Sequence, residues 1–220
     1  MIFLDHFEDL LPGSLWLHVA PTGLFKTTLA LSEANHASRN RDVMVFTHGT
    51  RDEVERRTGL VHGTQPSGRF CHIWPNNEDW TGAFNAIPRA IGGLRPLIIM
   101  DEINDPGGAA TASSRASNAV RTLKRFALEY NVIALATMTP YPRADMPYES
   151  CMRDPDLVTR AVRGRGSIDD EVRLQVLKNR SGETGEVLPL VFNFPKSPPL
   201  PPARSRWERI KDGGLDVEPV

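Results

Sequence analysis

Lys26, Thr27, Asp101 and Glu102 are the side chains of this sequence best suited to chemistry on a phosphate chain. The first two close the run Ala20-Pro21-Thr22-Gly23-Leu24-Phe25-Lys26-Thr27-Thr28, and the carboxylates follow the apolar run Leu97-Ile98-Ile99-Met100. In a phosphate-binding loop the backbone N–H groups curl around a triphosphate. Lys26 would reach the β and γ phosphates and the Thr27 hydroxyl would hold Mg²⁺. Asp101 would bind the same ion, directly or through water, and Glu102 would polarise the attacking water. ATP and Mg²⁺ are therefore the expected cofactors. Two positions depart from the usual spelling, which has glycine at both. Ala20 is a mild change. Phe25 is a larger one, because glycine before the lysine keeps a Cβ away from the phosphates and permits positive φ.

Such residues work only if strands and helices place them together. Leu15-Trp16-Leu17 reads as a strand entering the loop, and Leu29 to Ala34 as the helix leaving it, whose N-terminal N–H groups would face the same phosphates. Asp42 to Thr47, Leu97 to Glu102 and Val132 to Thr137 are apolar runs of the kind buried on both faces of a parallel sheet. Ligands bind at the carboxyl ends of such strands, where Asp101 and Glu102 stand. Arg51 to Arg57 reads as a charged helix with Thr50 as its N-cap. A further strand is expected at Arg69 to Trp74, and helices over Glu78 to Ile91 and Asn118 to Tyr130. Asn104 to Ser117 and Thr139 to Pro147 read as loops. Leu157 to Val162 is a candidate strand, while Glu171 to Lys178 and Glu186 to Phe192 form a hairpin around Ser181 to Gly185.

The chain has 220 residues, 40% hydrophobic and 24% charged, with a net charge of −1. That suffices for one sizeable core, and it argues against a general polyanion binder. The expected organisation is an N-terminal arm at 1–12, an α/β domain at 13–194 and a proline-rich tail at 195–220. The 2 cysteines are too few for a disulfide framework and lack metal-site spacing. No run approaches the length of a membrane span and the N-terminus has no basic-then-apolar leader, so the expected setting is cytoplasmic, without a membrane partner.

The order of these stretches resembles the RecA-like motor domain of replicative ring helicases of the DnaB type. Four stretches carry the likeness: the loop with its Leu-Ala-Leu helix, the strand ending at Asp101, Leu123 to Thr137, and Val176-Leu177-Lys178-Asn179-Arg180-Ser181-Gly182-Glu183-Thr184-Gly185. The last is similar to the family's Lys-x-Arg-x-Gly-x-x-Gly hairpin. Glu149-Ser150 and Asp154-Pro155-Asp156-Leu157 echo two shorter signatures. The resemblance covers about Leu11 to Phe194. It implies a RecA-like P-loop NTPase fold, with a mostly parallel central sheet flanked by helices and a C-terminal β-hairpin. It implies Arg180 as an arginine finger reaching a neighbouring subunit's nucleotide, with Lys178 its companion, and Thr137 at the γ-phosphate sensor position. Arg115 and Arg143, on loops matching the family's central-channel loops, become candidates to grip single-stranded DNA or RNA. The family's catalytic glutamate falls near Gly49, which leaves Glu102 to take that role.

The implied activity is ATP-driven translocation or unwinding by a homo-oligomer, a hexameric ring. The small size suggests a phage or mobile-element replication protein. The alternative is a catalytically weak nucleotide-binding partner or loader, favoured by Phe25 and Gly49.

Overall fold

The computed structural model describes residues 10–21, 24–58, 63–64, 69–75, 95–103, 112–140, 148–163, 172–182, 184–185 and 187–190. Its strands are Leu15–Val19 (β1), Val43–Thr47 (β2), Gly63–Thr64 (β3), Phe70–Pro75 (β4), Leu97–Met100 (β5), Ile133–Met138 (β6), Leu157–Arg163 (β7), Val172–Asn179 (β8) and Val187–Leu190 (β9). The helices are Lys26–Ala37 (α1), Arg51–Thr58 (α2), Ala112–Tyr130 (α3) and Tyr148–Met152 (α4).

The strands form one sheet in the order β3-β4-β2-β5-β6-β1-β7-β8-β9. From β4 to β7 every pairing is parallel, while β3, β8 and β9 pair antiparallel to their neighbours. β1, β2, β5 and β6 are buried along their whole length, which explains their continuous apolar sequences. Leu15, Leu17, Val19, Ile98, Met100, Ala134 and Ala136 pack against Val120, Leu123, Phe126 and Ala127 of α3. Strand residues of the other parity face the side where α1 packs on β2, β5 and β6. This is the expected α/β architecture, with its C-terminal hairpin in place as β8 and β9.

Three details differ from the expectations. α3 begins at Ala112, so Arg115 belongs to a helix rather than to a flexible loop. The apolar stripe Val120, Leu123, Ala127 continues upstream to the buried Ala116 at heptad-like spacing, which draws the small residues before Asn118 into the helix. The short α4 and β3 also went unpredicted. The far end of α3 closes as a Schellman motif: Asn131 is left-handed (φ 53°), with Val132 N–H donating to Ala127 O and Asn131 N–H to Leu128 O. Thr50 caps α2 as expected, its Oγ1 accepting the Glu53 N–H at 3.2 Å. The N-terminal arm through residue 9, the helix expected over Glu78 to Ile91, Arg143 and the tail from 195 lie outside the described residues.

Candidate functional site

The loop between β1 and α1 carries the first part of the site. Ala20 N–H donates to Met138 O at 3.0 Å and Leu24 N–H to Pro21 O at 3.1 Å. Phe25 then takes a left-handed conformation, φ 59° and ψ 25°, with its ring 40% exposed. The backbone thus adopts at a phenylalanine the shape for which glycine is usual, at a steric cost of roughly 1–2 kcal/mol. Leu29 N–H donates to Phe25 O at 2.8 Å, so the strained residue accepts α1's first helical bond. Thr22 and Gly23 lie outside the described residues.

Lys26, first residue of α1, is buried and donates to Pro21 O at 3.4 Å; its Nζ lies 3.5 Å from Glu102 Oε2. Asp101, just past β5, is buried too. Its Oδ1 accepts the Thr137 hydroxyl at 2.8 Å, its Oδ2 the Thr47 hydroxyl at 3.2 Å, and Thr27 also donates to it. Burial nevertheless pushes the Asp101 carboxyl up, with Glu102 adding to the effect, against the three hydroxyls that pull it down. Glu102 follows with positive φ (63°), and its N–H donates to Thr137 Oγ1 at 2.8 Å. Non-glycine residues held in the left-handed region cluster at functional sites. Here Phe25 and Glu102 flank the one lysine.

These contacts belong to a transverse row. Extending the strand registers by one residue past β5 aligns Thr47, Asp101, Thr137, His18 and Thr159 across β2, β5, β6, β1 and β7. The row is polar where β1, β2, β5 and β6 are otherwise apolar, and it lies at the carboxyl end of β2 and β5, where α1 begins. Thr159 Oγ1 accepts the Trp16 indole N–H at 2.8 Å and lies 3.0 Å from His18 Nδ1. The Thr159 hydroxyl thus bridges the indole and the imidazole, while His18 Nε2 is buried without a hydrogen-bond partner among the described residues. Burial, reinforced by the nearby Lys26 charge, lowers the His18 pKa to about 3. Thr47, His18 and Thr159 were not singled out as site residues from the sequence. The available clue was a polar residue inside or ending an apolar strand.

Gly49 occupies the neighbourhood expected for a glutamate. A Cβ built on it would lie 3.5 Å from Glu53 Oε2 and 3.8 Å from Thr47 Oγ1. There is space for a side chain, and the carboxylate beside it comes from α2.

Arg180 and Lys178 stand elsewhere. Leu157 of β7 pairs with Trp16 of β1 and with Asn179 of β8, so Arg180 is at the amino-terminal edge of the parallel strands. β1 separates that edge from the loop by about 16 Å at the usual rise per residue. Arg180 Nη1 donates to Asp156 Oδ1 at 2.8 Å, with its side chain 55% exposed. Lys178 Nζ donates to the carbonyls of Met152 and Arg153 at 2.8 and 2.9 Å, closing the end of α4. Burial and the adjacent Arg180 lower its pKa.

Among the described residues no helix is long and apolar enough to cross a membrane. No protein-family profile matches the chain, and no curated protein sequence does. Among solved structures, the fold is similar to one described as the structure of a DnaB-like replicative helicase and its interactions with primase, with TM-score 0.65 and 17% identity. The match covers 83% of this chain but 57% of that one, so the present chain spans little more than half of its neighbour's length. At that identity the likeness concerns architecture: the chain shares that structure's fold, a mostly parallel sheet flanked by helices with a C-terminal hairpin.

Proposed function

We propose that this chain is an ATP-dependent motor of the DnaB type, which hydrolyses ATP between subunits of a homo-oligomeric ring and moves along single-stranded nucleic acid. The observation that carries the reading is the convergence of Lys26 and Thr27 from the β1–α1 turn with Asp101 and Glu102 from β5 at one edge of the sheet. Thr27 and Asp101 fit a hard divalent cation. Both offer oxygen, they already touch, and a cation there would reverse the burial that raises the Asp101 pKa. Mg²⁺ held there would neutralise phosphate charge during transfer.

The chain's own groups divide the work. Lys26 exchanges Pro21 O and Glu102 for the terminal phosphates, and this frees the Glu102 carboxylate to orient water and take its proton. Thr137 ties the Glu102 backbone to the Asp101 carboxylate, so the metal ligand and the base move as one unit. Arg180 is too far from its own loop to serve it, which supports a role on the nucleotide of a neighbouring copy. Contact with nucleic acid rests on the fold likeness, with Arg115 and Arg143 as candidates.

Phe25 and the Lys26–Glu102 pair favour a second reading, in which the chain binds nucleotide without turnover. ATPase rates with and without single-stranded DNA, for wild type and Glu102→Gln, separate the two. Turnover stimulated by DNA and lost in Glu102→Gln supports the motor. Tight ATP binding with no turnover in either supports the binder.

A further inference from the structure

Asp156 is a junction of otherwise distant parts of the chain. Its Oδ2 accepts the Leu15 N–H at 2.9 Å and the Lys124 ammonium at 2.6 Å, and its N–H donates to Leu15 O at 2.9 Å. Lys124 is fixed in turn by Gly13 O at 2.7 Å. The other oxygen, Oδ1, takes Arg180 Nη1, while Asp156 O accepts the Arg180 N–H at 2.8 Å. Arg180 is therefore held twice, by backbone and by side chain, on a carboxylate anchored to the start of β1 and to α3.

Only Nη1 of the guanidinium is engaged by this carboxylate, and the side chain remains 55% exposed. A guanidinium carries five N–H donors in a planar fork, so fixing one corner orients the others. A loose arginine on a turn would lose that orientation, and transition-state stabilisation depends on donors already in place. The arrangement presents Arg180 rather than hiding it.

We infer that Asp156 is a positioning residue, which orients Arg180 toward the nucleotide of a second copy of this chain and links that orientation to β1, the strand leading into its own phosphate loop. The inference rests on the motor reading above.

Asp156→Asn is suited to test it. The amide oxygen can keep the Leu15 and Lys124 bonds at the Oδ2 position, which turns the NH₂ group toward Arg180 and sets donor against donor. The experiment measures kcat and KM for ATP on the full chain with single-stranded DNA, for wild type, Asp156→Asn, Arg180→Ala and the double variant, with thermal melting of each. The expected result is a kcat lowered about tenfold to a hundredfold in Asp156→Asn with KM little changed, and a lower melting temperature, because the amide leaves the Lys124 charge without its anion. In the Arg180→Ala background the same substitution should lower kcat no further, because Asp156 reaches the reaction through Arg180. An equal loss in both backgrounds shows a merely structural role and overturns the inference. So does wild-type kcat in Asp156→Asn when Arg180→Ala is inactive. Wild-type turnover in Arg180→Ala, or none in the wild type, overturns the motor reading itself.

Discussion

The two edges of the parallel sheet are built on different principles. At the carboxyl edge, Lys26 and Asp101 are buried, hydroxyls surround the carboxylate, and Phe25 and Glu102 hold left-handed backbone. At the amino edge, Arg180 sits half in solvent on an anchored aspartate. The first arrangement costs the fold stability, since burial and strain are both unfavourable until a ligand offsets them. The second costs little, because Arg180 keeps half its surface in water and the buried Asp156 charge is balanced by Lys124. In the proposed motor, the arginine that reaches toward a neighbour is fixed at one corner of its guanidinium and left exposed at the others. In the same reading, the groups that grip phosphate are set before the ligand arrives.

The sharpest way to break this contrast is Arg180→Ala. Its effect on turnover should be large, a fall on the order of 10³-fold in DNA-stimulated kcat. Its effect on denaturant midpoint should be small, because Arg180 itself is half exposed and Lys124 still balances the buried Asp156 charge. A large loss of stability with unchanged turnover would make the amino edge structural and erase the distinction.

Acid should expose the other edge. The His18 pKa is about 3 in the folded chain, against the ordinary 6.5 once unfolded. The unfolded state therefore binds the proton first, so stability is full above pH 6.5 and falls as pH drops toward 3. By pH 5 this one group should account for about 2 kcal/mol. Chemical denaturation at pH 7.5 and pH 5 should show that loss in the wild type, and a loss smaller by that amount in His18→Val. An identical pH slope in the two proteins would show that His18 titrates freely and that the polar row is open to water.

Phe25→Gly probes the strain. Compared with Phe25→Ala, which loses the same ring, it should be more stable by about 1 kcal/mol, read as a higher melting temperature, because only glycine removes the Cβ from the left-handed position. Nucleotide affinity should rise or stay unchanged. A fall in both would mean that the ring holds the loop.

Much of this architecture was legible in the sequence. β1, β2, β5 and β6 are apolar on both faces and admit little besides a central sheet, and the carboxylates after β5 mark its working edge. Strand order was not legible, because nothing in the local pattern of Leu157–Arg163 says that it pairs with β1. Phe25 showed only that glycine was missing; that the backbone kept glycine's conformation is set by the loop and α1 together. Asp156 stood in the Asp154-Pro155-Asp156-Leu157 stretch that echoes a helicase signature, with no role attached to it. Its partners Leu15 and Lys124 are 141 and 32 residues away, and only the fold brings them together. The start of α3 was misplaced because alanine and serine carry little hydrophobic signal, although Ala116 extends the buried stripe.

The central claim is that the carboxyl edge is a metal–nucleotide site. Equilibrium titration with a fluorescent ATP analogue tests it most directly, with and without Mg²⁺, for wild type and Lys26→Ala. The account predicts saturable binding strengthened by Mg²⁺ and weakened at least a hundredfold by the substitution, about 2.7 kcal/mol. Binding indifferent to Lys26, or no binding by the wild type, would contradict it.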